Sequence, residues 1–252
     1  MCIRDRRYIN FLIWLFVFLL ALTALTGCDE TDDPFRPQPA PARNLAVLAL
    51  GDSYTVGHSL PTEWSWPYQL ADTLAAAGDS LDSLEVIAQT GWTTGDLLEA
   101  TRDSLASDGF TRESYGLVTL MIGVNNQFQG LEPTVFEAEM DTLIDLALDL
   151  VEGDPGRVLG FSIPDYGVTP VGEMFDPARI AVEIDAYNVI LARKYEEQGI
   201  VMLDVTTLSR LADVEPQLVA RDGLHYSREM YARWVSLMLP EVRNVLGDPP
   251  RQ

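Results

Sequence analysis

The sequence contains very little cysteine, lysine and histidine. Its 252 residues include two cysteines, Cys2 and Cys28, so the chain beyond residue 28 has no disulfide to hold it and must rely on a hydrophobic core. Lys194 is the only lysine, and the formal net charge is -21. Because nucleic acid binding needs a basic patch to meet the phosphates, this charge balance argues against a nucleic acid partner.

The first 28 residues differ in composition from the rest of the chain. Arginines precede an apolar block at 11–22, and Leu25-Thr26-Gly27-Cys28 follows it. A charged start, a hydrophobic middle and a small-residue end are typical of a secretory signal peptide. The block is short against the roughly 20 apolar residues that a membrane-spanning helix needs. The ending resembles a bacterial lipobox, so we predict a signal peptide at 1–27 and an exported protein. A lipid on Cys28 would anchor it to a membrane at the periplasmic or cell-surface face. A plain secreted form and a permanently membrane-anchored form are the alternatives.

Beyond the signal peptide, the sequence divides into a linker and one domain-sized segment. Residues 28–43 are acidic and then proline-rich without a hydrophobic period, which predicts an extended tether. The segment 44–247 has the length of one domain and shows no internal repeat, and a short tail at 248–252 follows it.

Apolar runs alternate with amphipathic helical patterns throughout residues 44–247. Continuous apolar runs that end near glycine or proline are typical of strands buried on both faces, as in a parallel sheet covered by helices. The predicted strands lie at 45–50, 83–91, 116–123, 157–164 and 199–205, and the predicted helices at 62–78, 93–107, 133–152, 177–198 and 227–246. This alternation predicts a three-layer α/β/α fold with a five-stranded parallel sheet in flavodoxin-like order.

The first predicted strand stops abruptly at Gly51-Asp52-Ser53. Ligands of open α/β sheets bind at the carboxyl ends of the strands. The predicted position of Ser53 would therefore bring its side chain into contact with a bound ligand. Aspartate and serine also cap helices, and this stretch alone supports a capping role equally well.

A second segment offers what a serine nucleophile requires. Asp222-Gly223-Leu224-His225 places a carboxylate three residues before a histidine, just ahead of the last predicted helix. A histidine held by a carboxylate at one ring nitrogen can take a serine proton at the other. We therefore predict Ser53 as the nucleophile, His225 as the base and Asp222 as the residue that orients it. His58 is the competing base, but a rim or structural role is favoured for it because no carboxylate is evidently placed to orient it.

Acyl transfer also needs hydrogen-bond donors at the place where the oxyanion forms. The backbone N–H groups of Ser53 and Gly91 and the side-chain amide of Asn125 follow predicted strands. Because those strands end at one rim of the sheet, these three groups are the candidate donors.

Four short blocks resemble the SGNH, or GDSL-type, hydrolases, which are named for serine, glycine, asparagine and histidine. The blocks are Gly51-Asp52-Ser53-Tyr54, Gln89-Thr90-Gly91, Gly123-Val124-Asn125-Asn126, and Asp222 with His225. Tyr54 stands where the family commonly has leucine, and Asn126 where the usual pattern has aspartate. The resemblance spans most of the domain in the expected order. It implies a serine esterase or acyl hydrolase of three-layer α/β/α fold with no metal and no cofactor.

The sequence indicates the type of reaction more clearly than the identity of the substrate. Asn126, Trp92 and Asp165 are candidate substrate contacts, and each has an alternative role as a loop, core or capping residue. Short-chain esters, acetylated carbohydrates and lysophospholipids all fit the same groups. The lack of a long apolar insertion that could form a lid favours short acyl groups. A flavodoxin-like binding module, or a scaffold lipoprotein with a relict of the site, is the alternative class of function.

Overall fold

A single parallel sheet forms the centre of the residues that the computed structural model describes, which are 44–107 and 109–247. The strands are β1 (Asn44–Gly51), β2 (Ser80–Ala88), β3 (Leu117–Met121), β4 (Val158–Phe161) and β5 (Val201–Leu203). They pair in the order β2-β1-β3-β4-β5, and every pair is parallel. The predicted five-stranded, flavodoxin-like sheet is therefore confirmed.

The N-terminal predictions fall outside this part of the chain. The signal peptide at 1–27, Cys28, the tether at 28–43 and the tail at 248–252 all lie outside the described residues.

Helices cover both faces of the sheet. The four successive residues 47–50 of β1 are fully buried, and successive strand residues point to opposite faces, so neither face meets solvent there. The α-helices of the described residues are α1 (Ser53–Val56), α2 (Trp66–Ala76), α3 (Thr94–Ala106), α4 (Val124–Phe128), α5 (Pro133–Asp149), α6 (Pro177–Gln198), α7 (Val205–Ser209) and α8 (Arg228–Val245). Helix α8 packs against α2 and α7, and α5 packs between α3 and α6. These two groups form the outer layers of an α/β/α sandwich.

Short 3₁₀ turns complete the described elements, at Thr62–Trp64, Pro155–Arg157, Tyr166–Val168, Gly172–Met174, Arg210–Asp213 and Pro216–Leu218. No helix in the described ranges has the length and apolar character needed to cross a membrane.

The strand register brings the rim loops together. Gly51 at the end of β1 pairs with Ala88 at the end of β2 and with Met121 at the end of β3. A Cβ atom on Gly51 would lie 2.6 Å from the Met121 carbonyl oxygen and would also clash with Thr55. Glycine is therefore required where β1 turns sharply into α1, and this turn carries residue 53 to the rim.

Several predicted boundaries differ from the structure by a few residues, among them those of the first long helix and of the second strand. The helix predicted at 62–78 begins at Trp66, because Pro67 has no N–H to donate and fits only the first turn of a helix. The 3₁₀ turn at Thr62–Trp64 precedes it as a separate element. The second strand begins at Ser80, earlier than predicted, and ends at Ala88.

Candidate active site

Ser53 is the first residue of the short helix α1. Asp52 is the N-cap, and its carboxylate accepts a hydrogen bond of 3.0 Å from the Tyr54 backbone N–H. The capping role that the sequence left open thus belongs to Asp52. Gly57 adopts a left-handed conformation with φ 71° and ends α1 after one turn. Ser53 is 5% exposed and lines a cavity at the rim of the sheet.

The loop that precedes α8 holds His225 against Asp222. His225 Nδ1 lies 2.6 Å from Asp222 Oδ2, and Asp222 Oδ1 accepts the backbone N–H groups of Leu224 and His225 at 3.0 Å each. One carboxylate therefore fixes both the backbone of its loop and the ring of the histidine. Since Nδ1 carries the proton of this hydrogen bond, Nε2 is left as the basic nitrogen. His225 lines the same cavity as Ser53.

Burial and hydrogen bonding set the charges of this pair. Partial burial acts to raise the pKa of Asp222, but hydrogen bonds from Ser59, His225 and the loop backbone together hold that pKa well below its usual range. Burial lowers the pKa of His225 below the ordinary 6.5, and nearby His58 lowers it further, against the opposing effect of Asp222. Asp222 is therefore ionised and His225 neutral at pH 7, the protonation states in which a histidine acts as a base.

His58 and Ser59 connect the loop after α1 to this pair. Ser59 Oγ donates a hydrogen bond of 2.6 Å to Asp222 Oδ2 across 163 residues of sequence. The His58 ring lies 4.6 Å from the His225 ring between centroids, and His58 Nδ1 lies 2.9 Å from Thr90 Oγ1. The carboxylate is thus paired with His225 rather than with His58. The role of Ser59 was not predicted, because an isolated serine in a loop carries no pattern.

His58, Asp222 and His225 also place potential metal ligands within 4.8 Å of one another. Asp222 Oδ2 already accepts hydrogen bonds from Ser59 and His225. Hydrogen bonding is therefore sufficient to explain why these side chains converge.

The predicted oxyanion donors all border one cavity. Ser53, Gly91 and Asn125 line it together with His225. The N–H of Ser53 is at the first position of α1, where a helix provides no internal acceptor. Gly91 has φ 88°, a conformation that favours glycine. Asn125 Nδ2 donates one hydrogen to the Trp92 carbonyl oxygen at 2.8 Å, which orients the amide and leaves its second hydrogen.

The cavity has a volume of about 200 Å³ and mostly apolar walls. The apolar part of the lining comes from helix α4, from the loop after β4 and from the loop before α8. Their side chains are those of Val124, Phe128, Tyr166, Val171, Phe175 and Leu224. These residues were not predictable from the sequence, because they come from helix α4 and from two separate loops that no single sequence pattern connects.

The three predicted substrate contacts do not line this cavity. Asn126 is fully buried, and its amide accepts a 3.0 Å hydrogen bond from the Thr94 N–H and donates one of 2.6 Å to the Thr94 hydroxyl. Thr94 Oγ1 in turn donates to Glu139. Asn126 therefore joins α4 to the start of α3, which is a structural role, and the prediction of a substrate contact is corrected.

Asp165 is corrected for a similar reason. Asp165 is 1% exposed, and its carboxylate accepts from the Gly167 N–H at 2.9 Å and pairs with Arg210 Nε at 2.9 Å. It caps the turn that leads to Tyr166. The Trp92 side chain is half-buried and packs against the hydrophobic core, and its carbonyl oxygen accepts the hydrogen bond from Asn125 Nδ2, so a substrate contact for Trp92 stays a prediction.

The fold and this set of groups define a class of protein. A parallel α/β/α sandwich carries a serine at the end of its first strand, a histidine paired with a carboxylate before its last helix, and amide donors between them. This is the arrangement of a hydrolase that can transfer acyl groups through a serine.

Comparison with known proteins places the chain more narrowly. Residues 49–233 match the model of the GDSL-like Lipase/Acylhydrolase family, and the chain belongs to that family. An arylesterase of Vibrio mimicus is 32% identical over 103 residues, a match that covers 41% of this chain and 48% of that protein. The chain thus spans about half the length of this curated relative.

Solved structures share the fold at low sequence identity. A lipase/acylhydrolase from Enterococcus faecalis superposes with a TM-score of 0.62 at 19% identity, covering 83% of this chain and 99% of that one. The acetylxylan esterase Axe2 from Geobacillus stearothermophilus superposes with a TM-score of 0.60 at 17% identity, covering 84% of this chain and 98% of that one.

Proposed function

We propose that this protein hydrolyses carboxylic esters through an acyl-enzyme on Ser53. The proposal is carried by one observation: His225, whose Nδ1 lies 2.6 Å from Asp222 Oδ2, lines the same cavity as Ser53. Family membership and the ester-hydrolase names of the relatives support it.

The reaction has two steps. His225 Nε2 takes the proton of Ser53 Oγ as that oxygen bonds to the ester carbonyl carbon, and the N–H groups of Ser53 and Gly91 with the Asn125 amide bind the oxyanion. His225 then gives its proton to the departing alcohol, which leaves an ester on Ser53. Water then attacks this ester while His225 Nε2 takes a proton from it, and His225 returns that proton to Ser53 Oγ as the Oγ–acyl bond breaks and the carboxylic acid departs. Asp222 holds the ring and stabilises its charged form throughout.

The volume and lining of the cavity indicate the size and polarity of the acyl group that fits it. Its volume of about 200 Å³ is small against the roughly 300–1,000 Å³ of pockets that enclose drug-sized ligands. Aromatic and aliphatic side chains form its walls, so a short apolar acyl group fits it better than a long chain or a charged one.

The test compares Ser53→Ala with Ser236→Ala, an exposed serine of α8 whose hydroxyl bonds only its own helix. We expect Ser53→Ala to lower kcat/KM for p-nitrophenyl acetate by about 10³-fold or more, and to abolish labelling by a fluorophosphonate probe. Ser236→Ala should keep both. Unchanged hydrolysis in Ser53→Ala would refute the proposal, and an intact protein that neither labels nor hydrolyses esters would favour a non-catalytic scaffold.

The location of the protein is a separate proposal that rests on the sequence before residue 44. The charged and apolar start and Cys28 support an exported lipoprotein anchored to a membrane. Metabolic labelling with a fatty-acid analogue should mark the wild-type protein and not a Cys28→Ser variant. Equal labelling of the two would overturn the assignment.

A further inference from the structure

Both histidines of the chain lie side by side. The ring centroids of His58 and His225 are 4.6 Å apart, and the sequence contains no third histidine. Asp222 completes a group of three side chains, in which one ligand atom of each lies within 4.8 Å of the others. No other group of three histidine, cysteine, aspartate or glutamate side chains converges in this way in residues 44–107 and 109–247. Imidazole nitrogens and carboxylate oxygens are ligands of Zn²⁺ in proteins.

Hydrogen bonds hold the two exposed members of this group in place. His58 Nδ1 lies 2.9 Å from Thr90 Oγ1, which leaves His58 Nε2 as the nitrogen open to a further ligand. Asp222 Oδ1 accepts two backbone N–H groups of its own loop at 3.0 Å each. Metal-binding histidines and carboxylates are fixed by outer hydrogen bonds of this kind, which orient them toward the ion. The contacts that position these side chains therefore also prepare them to bind a metal.

A cation from solution can reach the group. His58 and Asp222 are exposed, and His225 is the buried member. The formal net charge of -21 attracts cations to the protein. A tetrahedral Zn²⁺ with bonds of about 2.1 Å holds its ligand atoms roughly 3.4 Å apart, so atoms within 4.8 Å of one another have to close by about 1.4 Å at most. An exposed histidine in the loop after α1 can make a movement of this size.

Binding of Zn²⁺ at either ring nitrogen would remove His225 from the proposed reaction. An ion on Nε2 occupies the lone pair that takes the Ser53 proton. An ion on Nδ1 displaces the proton shared with Asp222, and the neutral ring then carries its proton on Nε2. Because Nε2 has no free lone pair in either case, the histidine no longer acts as a base.

We propose that His58, Asp222 and His225 form an inhibitory site for Zn²⁺, which reversibly blocks the hydrolase. The ion is an inhibitor and not a cofactor. The effect on activity rests on the proposed ester hydrolysis at Ser53, whereas the binding of the ion depends only on the three side chains. His58 is thereby a metal ligand beside the proposed catalytic pair.

The first experiment measures p-nitrophenyl acetate hydrolysis by the full-length protein as zinc chloride is added. We expect Zn²⁺ to inhibit the wild-type protein and EDTA to restore the rate. Mg²⁺ at the same concentration should have little effect, because it prefers an octahedral shell of oxygen ligands. Equal inhibition by the two ions, or a loss of activity that EDTA does not reverse, would overturn the proposal.

Variants of His58 locate the effect, with each rate normalised to that of the same variant without metal. His58→Gln removes one ligand and should raise the zinc concentration for half-inhibition by about 100-fold, since loss of even an outer hydrogen bond to a metal ligand costs roughly 10–100-fold in affinity. His58→Cys supplies another zinc ligand and should keep most of the inhibition. Equal inhibition of the wild type and His58→Gln would overturn the site.

The matched control is Glu63→Gln, which removes an exposed carboxylate in the 3₁₀ turn that follows His58. This variant should be inhibited as the wild type is, because the carboxylate does not belong to the group of three. Equal relief of inhibition in Glu63→Gln and His58→Gln would show that zinc responds only to the acidic surface, and would overturn the site.

Calorimetry separates this proposal from the one on which it rests. Titration of zinc into the wild-type protein and into His58→Gln needs no ester, and any zinc held by Cys2 or Cys28 is common to both proteins. We expect the wild type to bind one more Zn²⁺ ion than the variant. Identical titrations would overturn the site even where ester hydrolysis is observed. A wild-type protein that binds this ion and cleaves no ester would instead refute the hydrolase and leave the site standing.

Discussion

Substitution of Ser59 separates the effect of one hydrogen bond on catalysis from its effect on stability. Ser59 donates to Asp222 Oδ2 at 2.6 Å, the same oxygen that holds His225 Nδ1. It does so with φ 69°, in the left-handed region that residues with a Cβ rarely adopt. The backbone of Ser59 is therefore strained at the point where its side chain contacts the proposed catalytic pair.

The magnitudes follow from these two features. The left-handed conformation costs a residue with a Cβ roughly 1–2 kcal/mol, and glycine avoids this cost. Glycine also raises the entropy of the unfolded chain, which lowers the free energy of unfolding by about 0.4–1 kcal/mol. Ser59→Gly should thus be more stable than Ser59→Ala by about 0.7 kcal/mol, or about 2 °C in Tm for a domain of this size. Both variants lose the hydroxyl, and the hydrogen bond is exposed, so its loss costs about 1 kcal/mol in each.

The assay measures Tm and the kinetics of p-nitrophenyl acetate hydrolysis for Ser59→Ala, Ser59→Gly and Ser59→Thr. We expect kcat to fall about tenfold and equally in the alanine and glycine variants, with little change in KM, because Asp222 then holds His225 less firmly. The threonine variant should retain most of kcat, since it keeps the hydroxyl. It should also lose stability, because its branched side chain fits positive φ poorly.

Two results would refute this reasoning. Full activity in Ser59→Gly would show that the hydrogen bond to Asp222 does not position His225. A kcat that follows Tm across the three variants would show that Ser59 acts only through stability.

Two further predictions concern pH. We expect kcat/KM to rise with pH as His225 loses its proton, with a midpoint below 6.5 because burial lowers the pKa of this ring; a midpoint above 6.5 in a pH–rate profile would contradict this. Burial raises the pKa of Asp52 from 3.8 to about 7, so the folded protein holds this proton more tightly than the unfolded chain does. The stability that this proton provides, up to about 4 kcal/mol, is present below pH 4 and is lost as the pH rises through 7. Asp52→Asn keeps an acceptor for the Tyr54 N–H and has no proton to lose. Urea unfolding at pH 5 and pH 8 should therefore show a smaller loss of stability in this variant than in the wild type, and equal losses would reject the assignment.

The strands and the central polar residues were predictable because strong local signals encode them. A short apolar run that ends in Gly51-Asp52-Ser53 is typical of a buried strand followed by a turn. The parallel order then brings that turn to the same edge as the loop after β3. The interval between Asp222 and His225 also has a local cause, since one carboxylate bonds both the backbone and the ring of the histidine.

The side chains around these residues were not predictable, because tertiary contacts decide their roles. Asn126 and Asp165 have the polarity of ligand-binding residues, but both satisfy buried protein groups. Phe175 has the character of a core residue and is exposed beside the cavity that Ser53 lines. Ser59 adopts a conformation that a sequence would lead one to expect of glycine, and its partner lies 163 residues away.

That interval along the chain has a consequence for protein synthesis. The hydrogen bond from Ser59 to Asp222 joins the beginning of the domain to its end, and His225 is translated long after Ser53. Under the mechanism proposed above, Ser53 has no base until the loop that holds Asp222 and His225 has left the ribosome. Under that mechanism, the onset of ester hydrolysis reports that this loop has reached Ser53. In a cell-free translation reaction, the time at which hydrolysis begins would therefore measure how quickly this part of the domain folds.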